Sequence, residues 1–446
     1  MRRLQVRRAG VADAEERTYD VAVVGGGAAG LAAALAAARS GARTVVLESD
    51  VACGLSILAT GNGRCNLSNS DLDPERYRYP DVARAVMGSR PEEALAAWFA
   101  SLGLATAEEE GRLYPYSRRA ESVRDALLAA CLRAGVSLRC GFELTGASRA
   151  AEGAVWRLAG TVPAGPVRAK RGHDARAALR ARRRALEAAP RKDAGISARA
   201  VALAPGGRSA ALCRLFRLPH EEERPVLCPV AGAFTAAPDA LGALDGVRVE
   251  AALGLQDARG RHASPWREAG EVLFRPYGIS GIVAFDASRR VTSGDVLLLD
   301  LFPSFSEEGL AALLDARAAV LGLPAAGSLA WYDGLVARPV AALVDAAAKT
   351  HDARGIARAA KRLRFAVTGL ADERAAQVRR GGIPFAAVDE TTLGLREAPG
   401  LYAAGEALAM DADCGGFNLA WAWLSGIRAG GAAAATVRGG AHARGL

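Results

Sequence analysis

A chain of 446 residues with 51% hydrophobic content has the length of two or three domains and is too apolar to be intrinsically disordered. Its seven cysteines (53, 65, 131, 140, 213, 228 and 414) show no Cys-x-x-Cys and no regular spacing, which argues against a disulfide framework or zinc site and for a reducing, cytoplasmic setting. The formal charge of +9 is concentrated: ten Lys or Arg lie between Pro166 and Lys192 against only Asp174 and Glu187, so the rest is close to neutral and nucleic acid is not the expected partner.

Residues 1–18 begin Met1-Arg2-Arg3, but Arg7-Arg8 and the charged run Asp13 to Arg17 leave no apolar core for a signal peptide. An apolar strand, Tyr19 to Val24, comes next, then Gly25-Gly26-Gly27-Ala28-Ala29-Gly30 opening an Ala-rich helix from Gly27 to Ser40. Gly25 permits the tight turn, Gly27 removes the Cβ that would block a pyrophosphate, and Gly30 lets helix and strand approach. A second strand, Thr44 to Leu47, ends in Glu48, the acid expected to take ribose hydroxyls. Strand, turn, helix and acid together predict a dinucleotide site, which Ser49, Ala28 and Ala29 flank. The longest apolar run, Val21 to Ala38, is this strand and helix, so no membrane span is expected.

Alternating strands and helices continue to about residue 145, with a strand over Gly135 to Leu144, and Ala200 to Ala204 is a short buried strand ending in Pro205-Gly206-Gly207. This is a doubly wound α/β pattern. Leu144, Ala204 and Gly206 are candidate cofactor contacts at strand ends. Pro166 to Lys192 carries hardly a large apolar residue and reads as a solvated insertion, flexible or a lone exposed helix. From Arg224 to Phe302 short β runs (Val226 to Phe234, Val247 to Leu255, Glu271 to Phe274, Ile282 to Phe285, Val296 to Leu301) suggest an inserted β-barrel or sandwich. Ser306 to Leu321 and Leu335 to Ala359 are amphipathic helical stretches, a strand resumes at Arg362 to Val367, and Gly400 to Gly405 leads through a Gly-rich loop to a helix from Leu419 to Ala435.

The segments Leu58-Ala59-Thr60-Gly61-Asn62-Gly63-Arg64-Cys65-Asn66-Leu67-Ser68-Asn69, Gly400 to Glu406 and Asp413-Cys414-Gly415-Gly416-Phe417-Asn418, with Gly278-Ile279-Ser280-Gly281 and Val378 to Ile383, resemble the BaiN-like family of FAD-dependent oxidoreductases. The resemblance implies a Rossmann-type FAD domain of the two-dinucleotide-binding class (19–222 with 371–440), an inserted β-barrel (223–305 with 360–370), and a small helical domain (306–359); 166–192 is extra to that pattern. It also implies FAD, and either NAD(P)H-linked reduction of conjugated enones or oxidation of small amines. Two departures stand out: the usual basic pair ahead of the Gly-Asn-Gly-Arg-Cys-Asn motif is Leu55-Ser56, and a Thr-His pair ahead of Gly278 is Arg275-Pro276.

Glu406 follows a strand and a glycine, from where a carboxylate can accept from ribitol hydroxyls. Gly405, Gly415, Gly416 and Phe417 lead into a helix whose amides and dipole favour charge developing on a reduced flavin. Gly61, Asn62 and Gly63 form a turn that passes close to the ring system, with Arg64 and Asn66 offering charge and amide contacts; Asn66 and Asn418 equally suit loop capping. Cys65 and Cys414 read as small packing residues near the flavin, since neither has a Cys-x-x-Cys or an adjacent base. Only one dinucleotide fingerprint exists, so NAD(P)H is expected as a transient co-substrate. With Pro276 where a His is usual, Tyr277 becomes the candidate proton donor and Arg275 a group that polarises a carbonyl. The resulting expectation is reduction of a conjugated, enone-type small molecule with hydride passing through flavin N5. The alternatives are an oxygen-dependent amine oxidase, an RNA-associated flavoprotein, and a non-catalytic dinucleotide-binding protein. Oligomeric state is not legible.

Overall fold

The computed structural model describes residues 18–149, 155–169, 174–257, 259, 262–322 and 329–442; the leader expectation for residues 1–17 and the part of the basic stretch at 170–173 lie outside them. The chain divides into two compact units, one formed by the segments up to Arg224 and from Arg379 onward, the other by Pro225–Val378.

The first unit is a doubly wound α/β fold. Strand β1 (Tyr19–Val24) pairs in parallel with β2 (Thr44–Glu48), and β2 with β3 (Ser137–Cys140). Val21, Ala22, Val23, Val45 and Val46 are wholly buried, because helices cover a parallel sheet on both faces. Antiparallel β4 (Glu143–Arg149) and β5 (Trp156–Pro163) lead to helix α2 (Ala175–Glu187) and to β6 (Arg191–Leu203). The expected short strand at Ala200 to Ala204 is only the buried end of β6. Its first half pairs with β5 and its last residues with β1 on one side and β7 (Leu401–Ala403) on the other. The longer extent and the β5 partner escaped the sequence reading because Arg191, Lys192, Asp193 and Arg199 interrupt the apolar pattern.

Helix α1 (Ala28–Arg39) leaves the β1 turn and packs on α3 (Phe417–His442). A Cβ at Gly426 would stand 2.4 Å from the Ala29 carbonyl oxygen, and one at Gly430 would stand 2.0 Å from that of Ala33. Two glycines in a helix interior cost roughly 1 kcal/mol each. Here they allow backbone-to-backbone contact, and the buried alanines of α1 keep the approach close.

The basic stretch needs correcting. Its helix α2 is neither flexible chain nor a lone element: Asp174 caps it by accepting from Ala177 N at 2.6 Å, and Leu186 is buried. Arg183 pairs with Asp50, and Arg182 donates to the Val51 carbonyl at 3.1 Å. Leu179, Arg182, Arg183 and Leu186 fall on one face by the helical period, while the exposed Arg176, Arg180 and Arg184 recur at every fourth residue on another.

The second unit contains a closed antiparallel barrel in the order Val230–Phe234, Gly278–Ser280, His262–Arg275, Arg248–Gln256, Val296–Asp300 and Leu363–Leu370, the last returning to the first. Phe234, Phe274 and Phe365 pack edge to face inside it. Helices Glu307–Leu321, Arg338–Ala347 and Ala353–Lys361 share its core through Leu310, Leu314, Val340, Val344 and Ile356. Two expected strands differ. Val226 to Phe234 breaks at Leu227, whose φ is +54°. Ile282 to Phe285 belongs to a helix, Ile282–Ser288, that starts at Gly281; four apolar residues suit a buried helical turn as well as a strand.

Candidate active site

The turn after β1 separates the three fingerprint glycines by cause. Gly25 donates to the Leu47 carbonyl at 2.8 Å, has φ +103°, and its Cβ would lie 2.2 Å from the Ala204 oxygen. A Cβ at Gly30 would lie 1.9 Å from the Gly25 oxygen. Both are demanded by the fold. Gly27 has an ordinary φ of −78° and caps α1 without any side-chain hydrogen bond. The nearest atom to its missing Cβ is Ser56 Oγ at 3.1 Å. Without a side-chain cap, the amides of the first turn of α1, at Ala28 and Ala29, keep the character that suits a helix N-terminus to an anion.

Glu48, at the end of β2, accepts from Gly26 N at 2.7 Å with Oε2 and from Asp50 N at 2.8 Å with Oε1, while Ser49 Oγ lies 3.4 Å from Oε1. Oε2 keeps a further lone pair for a hydroxyl, while Oε1 is shared between Asp50 N and the long contact from Ser49. Ala204 closes the turn by donating to the Val24 carbonyl at 2.8 Å, and Gly206 follows at φ +75°. Leu144 pairs with Gly160 in the β4 and β5 hairpin and is half-buried.

Glu406 accepts from Gly207 N at 3.1 Å. Burial pushes its carboxyl up to about 7, against the lowering effect of backbone N–H groups from Arg379 and Gly207. It thus ties the end of β6 to the Arg379 segment. Gly405, at φ +65°, donates to Ser425 Oγ at 2.9 Å, and Trp421 Nε1 donates to the Gly405 carbonyl at 3.1 Å.

The long motif after β2 behaves residue by residue. Gly61, Asn62 and Gly63 all have left-handed φ (+54°, +53° and +84°) and make a tight turn. Arg64 turns to Glu109, with which it is ion-paired, and lies over the Tyr114 ring at 4.3 Å. Cys65 is buried, and burial raises its thiol to about 11, as a packing residue requires. Asn66 Oδ1 is buried without a hydrogen-bond partner, 2.8 Å from where a Cβ on Gly416 would stand. A buried amide oxygen left unsatisfied costs roughly 1–3 kcal/mol, so this site fits a bound molecule that brings a donor. Gly415 and Gly416 have φ +123° and +103°, and Gly416 lies against the Ser68 carbonyl. Asn69 Nδ2 donates to the Gly415 carbonyl at 3.0 Å and Tyr77 OH to that of Phe417 at 3.1 Å.

Asn418 differs from Asn66. Its Oδ1 accepts from Ala412 N at 2.9 Å, and its Nδ2 donates to the carbonyls of Ala412 and Asp413 at 2.8 and 3.2 Å. Its side chain holds the loop before α3. The sequence reading missed a neighbouring anchor, Arg380, which grips the fully buried Asp411 at 2.8 Å through both Nε and Nη2. Arg78 N in turn donates to the Asp411 carbonyl at 2.9 Å. A separation of 31 positions in sequence hid this pair.

Tyr277 and Arg275 belong to the second unit. Tyr277 sits in the turn after His262–Arg275 with 40% of its surface exposed. Arg275 lies 3.3 Å from Asp245, both half exposed. Such a pair contributes little and is easily surrendered. Among the described residues there is no cluster of metal-binding side chains and no helix long and apolar enough to cross a membrane.

Comparison with known proteins adds the following. The family model described as HI0933-like protein Rossmann domain matches residues 19–432. A relative named 3-dehydro-bile acid delta(4,6)-reductase, from Clostridium scindens, is 29% identical over 93% of this chain and 98% of its own length. The ribosomal RNA dihydrouridine synthase of Escherichia coli is 23% identical over 91% and 96%. Among solved structures, a 3-ketosteroid-delta4-(5alpha)-dehydrogenase from Rhodococcus jostii superposes with a TM-score of 0.45 at 16% identity, covering 95% of this chain and 98% of that one.

Proposed function

The chain belongs to the HI0933-like family, and on that premise we propose that it is a flavoenzyme reducing a carbon–carbon double bond conjugated to a carbonyl, with NAD(P)H as the transient reductant. It is an FAD-dependent oxidoreductase with a Rossmann-type fold. The double-bond substrate class is supported by the reductase of Clostridium scindens, whose name describes saturation of such a bond. The observation that carries the flavin reading within this chain is Asn66 Oδ1, buried and unpaired beside Gly416.

The residues divide the work as follows. The uncapped N-terminus of α1, with Gly27 leading into it, would hold the pyrophosphate, and Glu48 would take the ribose hydroxyls. Asn66 Oδ1 would accept a donor from the ring system, and Gly415, Gly416 and the start of α3 would offer backbone N–H groups to the negative charge of a reduced flavin. Bound FAD supplies hydride transfer through its N5. Of the second unit's candidates, Tyr277 carries the proton that the α-carbon needs, and Arg275, which cannot give one up, is suited only to polarising the carbonyl.

A second reading has its own support. Uridine also carries a double bond conjugated to a carbonyl, the Escherichia coli relative is named for saturating it in RNA, and Arg176, Arg180 and Arg184 form an exposed basic stripe. Two assays test both readings. Anaerobic incubation with NADH or NADPH and a 4-en-3-one steroid yields the saturated ketone under the first. Conversion of uridine in RNA, with affinity falling steeply as salt rises, supports the second. An amine substrate consumed only with oxygen contradicts both.

A further inference from the structure

Two sulfurs meet beside Glu48. Parallel pairing sets Cys140, the last residue of β3, beside Glu48, the last of β2. The loop after β2 returns Cys53 so that its Sγ lies 3.7 Å from Cys140 Sγ. Cys53 is buried and Cys140 exposed. Cys53 also rests on the fingerprint turn: a Cβ at Gly26 would stand 2.7 Å from its sulfur, and Gly54 N donates to the Gly26 carbonyl at 2.7 Å. The same loop carries Asp50, held by Arg183, and Val51, held by Arg182. No motif announces this pair, since 87 residues separate the two cysteines.

We propose that Cys53 and Cys140 form a reversible modification site, a dithiol that exchanges with low-molecular-weight disulfides and, once oxidised, locks the loop after β2 against β3 and slows release of the dinucleotide. The second half of this inference rests on the reading of Glu48 as the ribose ligand.

The roles of the two sulfurs follow from exposure. Cys140 meets solvent and attacks one sulfur of the small disulfide; a mixed disulfide forms and one small thiol leaves. Cys53 then attacks the Cys140 sulfur, the bond between the two residues forms, and the second small thiol departs. The cysteines lose two electrons and two protons, and both go to the released thiols. The hydrogen bond between the two thiols lowers the pKa of Cys140, aided by Arg182, and raises that of Cys53, which favours the exposed sulfur as first nucleophile. Starting from van der Waals contact, the sulfurs close to about 2.05 Å.

The test uses FAD-loaded protein treated with oxidised glutathione, alkylated, and mapped as peptides without reduction, with FAD release after dilution followed by flavin fluorescence. Expected are a Cys53 to Cys140 crosslink, release slowed about 5-fold or more, the low end for coupling between two sites, and reversal by dithiothreitol. Cys53→Ser should accumulate glutathione on Cys140, and Cys140→Ser should leave Cys53 unmodified. Absence of the crosslink in the wild type, or a crosslink that leaves FAD release unchanged while Glu48→Ala speeds it, overturns the proposal. A crosslink in protein whose FAD release is indifferent to Glu48→Ala supports the thiol pair and contradicts the ribose reading instead.

Discussion

Gly25 and Gly30 in the first unit and Gly278 and Gly281 in the second are held by the same constraint. Each stands where a Cβ would come within 2.3 Å of a backbone oxygen: Ala204, Gly25, Val230 and Glu271 respectively. All four belong to motifs that look functional in the sequence, yet their glycines answer to the protein's own packing. Gly27 is different, because its φ is ordinary and the only atom close to its missing Cβ is the Ser56 hydroxyl at 3.1 Å, the end of a side chain that can turn aside, rather than backbone. The first unit also holds Asn66 Oδ1, a buried oxygen with no partner. Close backbone approach is therefore a property of the fold, whereas no backbone atom crowds Gly27 and no protein group satisfies Asn66 Oδ1.

Substitutions at these glycines give the largest effects. Gly25→Ala and Gly278→Ala should each cost about 2–6 kcal/mol of stability, combining backbone strain at positive φ with overpacking. Gly27→Ala should leave the melting temperature of flavin-free protein nearly unchanged and still reduce FAD retention. Thermal melts with and without added FAD check all three; a Gly27→Ala protein that fails to fold would break the distinction between them.

Glu406 sharpens the comparison through pH. Its carboxyl is raised from 4.5 to about 7 by burial, so the folded chain holds this proton more tightly than the unfolded one. The stability it contributes is present below about pH 4.5 and is lost as pH rises to about 7. The loss is on the order of 3 kcal/mol for a shift of this size. Denaturation of flavin-free protein between pH 5 and 8 should show this slope, and Glu406→Gln should flatten it.

Glu48→Ala should weaken FAD binding by about 1.5–3 kcal/mol, the range for a hydrogen bond to a charged group. Its partners Gly26 N and Asp50 N mean that the turn loosens as well, so flavin occupancy after dialysis is the readout. The smallest effect is expected at the basic helix: Arg183→Ala removes the partly exposed pair with Asp50 and should cost under about 1 kcal/mol. Removing all of α2 costs more, because Leu186 loses its burial.

Much of the first unit was legible because its constraints are local. An apolar strand, a glycine turn, an Ala-rich helix and an acid at the end of the next strand follow one another within 30 residues from Tyr19 to Glu48. The six-stranded barrel was foreseen as barrel or sandwich from short β runs, but not its Ile282–Ser288 helix, whose apolar residues carry no period at that length. Pairs far apart in sequence stayed hidden. Arg380 with Asp411, Cys53 with Cys140, and β5 with β6 depend on how strands are ordered in space. The commitment of Asn418 to its own loop and the freedom of Asn66 could not be told apart, since both are asparagines beside glycines.

The most direct test of the central claim is anaerobic stopped-flow absorbance of the bound flavin, with wild type and Tyr277→Phe compared. NAD(P)H should bleach the flavin in both. A 4-en-3-one steroid added next should restore the colour in the wild type and do so roughly 10²-fold more slowly in Tyr277→Phe, as loss of a general acid requires. If the enone never restores the colour, and only oxygen does after bleaching by an amine, the double-bond reductase reading is contradicted.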